Sequence, residues 1–202
     1  MAITYLLKRE ILFIHVPKAA GTTLYKSFNL YRIRKHATIN YLQIKEGINL
    51  DDYWIVSTVR HPWKRIWSLY CWTRWHPQRT WHKKSWKEWL FSPEVGPHYH
   101  DIINNNPLQQ KNYFLDRDGN LAVDEIIRVE HLKEDVERSE HLPKTEIQSY
   151  NRRKTIDKKF SGRGYLSAYD DEMKEYVGEL CEWEINKFGY EYEIKTKNRN
   201  HR

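Results

Sequence analysis

The chain has 202 residues, enough for one domain with a sizeable core. Its 34 Lys and Arg outnumber its 27 Asp and Glu, giving +7, which favours anionic partners such as nucleotides, acidic glycans, nucleic acid or a membrane surface. Only two cysteines, Cys71 and Cys181, exclude a disulfide framework and a Cys-based metal motif, and no apolar run approaches the roughly 20 residues that span a bilayer.

Lys8, Arg9 and Glu10 interrupt the apolar N-terminus, so no signal peptide is expected. With no integral membrane segment expected either, the sequence reads as a soluble, cytoplasmic protein. Residues 11–16 are apolar apart from His15, the length of a strand buried on both faces. Pro17 ends that strand, Gly21 permits a tight turn, and Thr22 or Thr23 is placed to cap a helix carrying Leu24 and Phe28. Strand, tight loop and helix together suit a phosphate, and Lys18 adds a full charge. A nucleotide-kinase loop would put Lys directly after the second Gly, whereas here Lys18 precedes Gly21.

Residues 22–35 read as this helix running into a basic segment, and Thr38 as the cap of a second helix that ends at Gly47. A second buried strand spans residues 54–59 and leads into Arg60, with Pro62 suited to the first turn of the following helix. Arg60 then stands at the C-terminal end of a strand, where open α/β sheets bind ligands. Six of the nine Trp lie between Trp67 and Trp89, interleaved with His and Lys. They read as packing for about half their number and as an acceptor wall for the rest, with Trp72 and Trp75 the wall candidates. His98 and His100 lack partners at structural-zinc spacing, so no metal is expected.

Residues 113–123 read as a hairpin around Gly119, residues 124–130 as a third strand and residues 131–142 as a helix. A polar, basic stretch covers 143–164. The last helix runs from about 170 to 188 with Glu184 on its apolar side, where a buried acid needs a partner such as Arg60 or Arg65. From Lys195 the tail is basic and expected to be disordered. The expected fold class is α/β, with a short central parallel sheet flanked by helices.

Two motifs carry a resemblance. His15, Pro17, Lys18, Gly21, Thr22 and Thr23 resemble the His-x-Pro-Lys-x-x-Gly-Thr-Ser/Thr loop of sulfotransferases that use 3′-phosphoadenosine 5′-phosphosulfate (PAPS). Arg60, Pro62, Arg65, Ser68 and Tyr70 keep every spacing of that family's Arg-x-Pro-x-x-Arg-x-x-Ser-x-Tyr/Phe motif. His61 stands where the family usually has Asp or Asn. Gln110, Tyr113, Gly119, Asp124, Arg128, Glu130 and Asp135 resemble the later part of bacterial members.

The resemblance implies a single P-loop-NTPase-like three-layer domain over 1–202, with 72–109 as an acceptor-side insertion. It implies PAPS as co-substrate, no metal, and a hydroxyl acceptor, first of all a glycan, with no nucleic acid as partner. Residues Pro17, Lys18, Ala19, Ala20, Gly21, Thr22 and Thr23 would hold the 5′-phosphate, and Arg60 and Ser68 the 3′-phosphate. Lys18 would stabilise the leaving phosphate. A sequence similar to Lys35-His36-Ala37-Thr38 carries the base in relatives, which makes His36 the first candidate, His15 the second and His61 the third. Arg152, Arg153, Lys154 or Arg163 would reach a phosphate from a lid, joined by Tyr165 and Tyr169. The competing readings are a nucleotide-dependent phosphotransferase and a non-catalytic module that binds polyanions or nucleic acid.

Overall fold

The computed structural model describes residues 6–7, 11–28, 36–75, 84–93, 106–144, 146–147 and 164–192. The chain is mixed α/β. Its sheet has the order β1 (Leu6–Leu7), β2 (Ile11–Ile14), β3 (Trp54–Val59) and β4 (Glu125–Arg128). β1 is antiparallel to β2, and β2, β3 and β4 are mutually parallel. The register pairs Ile14 with Ser57 and Val59 with Arg128, so the C-terminal ends of the three parallel strands lie side by side.

Successive residues of a strand face opposite ways, and both faces are covered. Leu12, Ile14 and Ile55 pack with α2 (Ile39–Glu46), α3 (Pro62–Trp75) and α6 (Asp171–Leu180). On the other side, Ile11, Phe13, Val56 and Ile127 pack with Leu24 of α1 (Gly21–Ser27) and Val136 of α5 (Leu132–Arg138). This two-sided burial explains why β2 is a continuous apolar run and why β3, with Ser57 and Thr58 buried as well, does not alternate apolar with exposed polar residues. Among the described residues, no helix is long and apolar enough to cross a membrane.

Local chemistry sets the element ends. Thr38 accepts a hydrogen bond from Tyr41 N at 3.1 Å and starts α2, and Gly47 ends it in the left-handed region at φ 66°. Ser85 and Glu88 form a reciprocal capping box at the start of α4 (Trp86–Phe91).

Four expectations need correction. Neither Thr22 nor Thr23 caps α1, because the helix begins at Gly21 and Ala20 occupies the cap position. The expected hairpin shrinks to one bridge between Leu115 and Leu121, since residues 111–113 form a 3-10 turn instead. The helix expected over 131–142 is the shorter α5, because Ser139 leaves the helix with extended backbone while its hydroxyl bonds Glu125. The last helix divides at Cys181 into α6 and α7 (Glu182–Phe188), and Gln109 Nε2 donates to the Leu180 carbonyl beside the break at 2.8 Å. The basic segment at 32–35 and the tail from Lys195 lie outside the described residues.

Candidate active site

The loop after β2 departs from ordinary backbone. Among the described residues, the non-glycines with positive φ are Lys18 (66°), Ala20 (55°) and His36 (70°). Left-handed geometry costs a residue with a Cβ about 1–2 kcal/mol. All three are residues that the sequence singles out for the site. The sign of φ alternates along Lys18, Ala19, Ala20 and Gly21, the pattern that turns successive N–H groups toward one point and makes an anion-binding concavity.

Bonds from elsewhere hold the loop in this shape. Arg65 is fully buried and donates to the carbonyls of Pro17 (3.3 Å), Pro107 (3.1 Å) and Leu108. It is therefore neither a surface charge nor a ligand contact, but an internal strut between two loops. Its five-donor fork suits several carbonyls at once. Arg60 Nη1 donates to Lys18 O at 3.1 Å, which joins the two sequence motifs directly.

Arg60 is held in turn. The Gln110 side-chain amide accepts from Arg60 N at 2.9 Å and donates to Arg60 O at 2.8 Å. Gln110 N and Lys111 N donate to Glu184 Oε1 at 2.6 and 3.2 Å. Glu184 thus meets backbone N–H groups instead of a guanidinium. Burial pushes its carboxyl up, against those hydrogen bonds and the nearby charge of Arg65. A buried polar pair, Gln110 and Glu184, braces the motif from behind. In the sequence, Glu184 shows as an acid on an apolar helix face, and Gln110 enters only through the family resemblance.

Gly21 is small for a reason other than φ. A Cβ there would stand 2.0 Å from Cδ2 and 2.3 Å from Nε2 of His15. The His15 ring lies over the start of α1 and packs against His36, with ring centroids 4.5 Å apart. His36 Nδ1 lies 3.1 Å from the His15 carbonyl. A carbonyl only accepts, so Nδ1 carries the proton and the lone pair of neutral His36 is on Nε2, the arrangement a general base requires.

His61 is placed differently. It is buried, its Nε2 donates to Glu191 O at 2.8 Å, and its ring packs against Trp63, Tyr165 and Tyr190. Burial, then the charge of Lys64, lowers its pKa against the Glu191 hydrogen bond. Glu130, at the end of β4, accepts from His61 N at 3.1 Å and from Tyr190 Oη at 3.1 Å. This group fastens the C-terminal segment over the β3–α3 turn.

α3 is buried on nearly every side. From Pro62 to Thr73 only Lys64, Ser68 and Trp72 are partly accessible, one line along the helix. Trp67 and Trp89 are core residues, and Trp86 stands edge-on to Tyr169. Tyr169 is buried, and its hydroxyl donates to Trp63 O at 2.8 Å, so it packs the core. Tyr165 is half-buried, with its hydroxyl on Tyr192 O at 3.1 Å. Arg152, Arg153, Lys154, Arg163, Trp81, His76, His82, His98, His100 and the indole of Trp75 lie outside the described residues. Among the described residues, no group of three or more His, Cys, Asp or Glu is arranged to hold a metal ion. No protein-family model matches the chain, and no curated protein or solved structure matches it significantly.

Proposed function

We propose that the chain is a PAPS-dependent sulfotransferase, with a P-loop-NTPase-like scaffold and a hydroxyl acceptor, a carbohydrate first of all. One observation carries this reading. Arg60 bonds the carbonyl of left-handed Lys18, so the two phosphate motifs converge at the ends of adjacent parallel strands around a strained loop. Strain of this kind persists where surrounding bonds over-determine it, and it clusters at ligand sites.

In the proposed reaction, the bond between sulfur and the bridging oxygen of the donor's 5′-phosphate breaks. A new bond forms between sulfur and the acceptor oxygen. The hydroxyl proton passes to His36 Nε2, and Lys18 faces the charge left on the departing phosphate. Positioning and charge stabilisation do most of the work, as in phosphoryl transfer. The cytoplasm is the proposed compartment, and the two buried free thiols, Cys71 and Cys181, suit a reducing one.

The test is release of adenosine 3′,5′-bisphosphate from PAPS in the presence of a panel of glycan and small hydroxyl acceptors. Acceptor-dependent release by wild type, lost in His36→Ala with nucleotide affinity kept, is the expected result. Equal turnover in His36→Ala removes the base assignment, and no release with any acceptor class counts against sulfuryl transfer.

A further inference from the structure

The ladder between β2 and β3 ends at Ile14 and Ser57, and that between β3 and β4 at Val59 and Arg128. Arg60 lies beyond both, yet its backbone stays paired. The Gln110 side chain accepts from Arg60 N at 2.9 Å and donates to Arg60 O at 2.8 Å. One amide thus makes with one residue the reciprocal pair of bonds that two residues exchange in an antiparallel ladder. An N–H only donates and a carbonyl only accepts, so the two bonds fix which end of the amide faces which group. Gln110 is fully buried, and its own N–H donates to Glu184, which is buried as well.

The next bond carries this order outward. Arg60 Nη1 donates to the carbonyl of Lys18, a left-handed residue of the loop after β2. Glu184, Gln110, Arg60 and Lys18 are therefore joined by an unbroken series of direct hydrogen bonds, from α7 to the loop. Arg65 runs beside it, from the carbonyls of Pro107 and Leu108 to that of Pro17. The loop is tied to residues 107–110 twice.

We infer that Gln110 is a positioning residue for the donor site. It extends the pairing of β3 by one residue, aims Arg60 at Lys18 and so holds the loop in its anion-binding shape. The inference rests on the proposed nucleotide site, and it gives Gln110 no contact with the nucleotide. A Gln110 that only filled a buried corner would matter to folding alone.

A double-mutant cycle read by calorimetric titration of adenosine 3′,5′-bisphosphate separates the two. The proteins are wild type, Gln110→Met, Arg60→Ala and the double variant, with thermal melting of each to check folding. Gln110→Glu is carried in both backgrounds too. It keeps the shape and one acceptor but sets a carboxyl oxygen against the Arg60 carbonyl, and it decides the question if Gln110→Met does not fold. Each Gln110 variant is expected to bind about ten- to hundredfold more weakly than wild type, the scale of loss for a misplaced site group. With Arg60 already replaced by Ala, the same changes should cost at most about twofold. Wild-type affinity in the folded Gln110 variants, or an equal loss in both backgrounds, overturns the inference and leaves the nucleotide site standing. A wild type that does not bind the bisphosphate overturns both.

Discussion

Replacing Gly21 with Ala tests how tightly the loop, His15 and His36 are packed together. The added Cβ would meet His15 Cδ2, Nε2 and Cγ at 2.0, 2.3 and 2.8 Å, against a comfortable carbon contact of about 3.5–4.0 Å. The ring must move by more than about 1 Å. It has little room, being buried and packed at a tilt against the His36 ring. Overpacking of this kind costs about 1–3 kcal/mol. Ala in place of Gly at the start of α1 returns at most about 1 kcal/mol of helix propensity. The net expectation is a loss of about 1–2 kcal/mol, or a fall of roughly 0.5–1 M in the urea midpoint. In a His15→Ala background the clash is gone, so the same change should cost nothing or stabilise slightly. Urea unfolding of the two single variants and the double variant measures this coupling. A Gly21→Ala protein as stable as wild type, or equal costs in both backgrounds, would refute the packing argument.

Three further outcomes follow from other groups. Arg65→Met removes the guanidinium donor from the carbonyls of Pro17, Pro107 and Leu108, at about 1–3 kcal/mol for each buried one left unsatisfied. Thermal unfolding should show severe destabilisation that Arg65→Lys does not rescue, and a Met variant as stable as wild type would contradict the strut. His61 has a depressed pKa, first through burial, so near its ordinary value of about 6.5 the unfolded chain takes up a proton before the folded one does. Its contribution is therefore full above that value and is lost as pH falls through it toward the folded pKa. The stability gap between wild type and His61→Gln should shrink between pH 7.5 and 5, and a constant gap would count against this burial. For Asp135, burial raises the pKa, but the Arg128 side-chain and backbone hydrogen bonds and the Arg128 charge together outweigh it and leave the carboxyl low. Asp135→Asn should cost about 1.5–3 kcal/mol at neutral pH. That cost should disappear as acid protonates the wild-type carboxyl below about 3.9, and a cost that persists in strong acid would exclude an ionic origin.

The parts of the fold that were legible in the sequence are those where one local rule acts alone. Residues 54–59 form a strand because β-branched and apolar residues, with Ser57 and Thr58 among them, suit burial on both faces. Pro62 opens α3 because its missing N–H is no loss there. Thr38 and Gly47 bound α2 by side-chain capping and by left-handed backbone, respectively.

Where long-range contacts decide, local pattern is silent. Arg65 and Lys64 are adjacent basic residues on one helix, yet one is fully buried on three carbonyls and the other lies on the open line. The motif spacing singles out Arg65, but its burial on three carbonyls follows only once the loop at 107–108 is in place. Glu184 announces a partner by its position on an apolar face, but the partner is the backbone of Gln110 and Lys111, more than 70 positions away. Gly21 reads as a turn glycine, whereas Lys18 and Ala20 take the left-handed conformations and Gly21 makes room for His15.

The central claim is that the loop at Lys18 and the β3 end at Arg60 form one nucleotide site that reads two phosphates. Its most direct test is calorimetric titration of wild type and Arg60→Ala with adenosine 3′,5′-bisphosphate in the absence of metal, beside ATP with and without Mg²⁺. Metal-independent binding of the bisphosphate, weakened in Arg60→Ala, is the predicted result. Binding of ATP only with Mg²⁺ would contradict it in favour of a phosphotransferase, and no nucleotide binding at all would leave a basic, Trp-rich binding module.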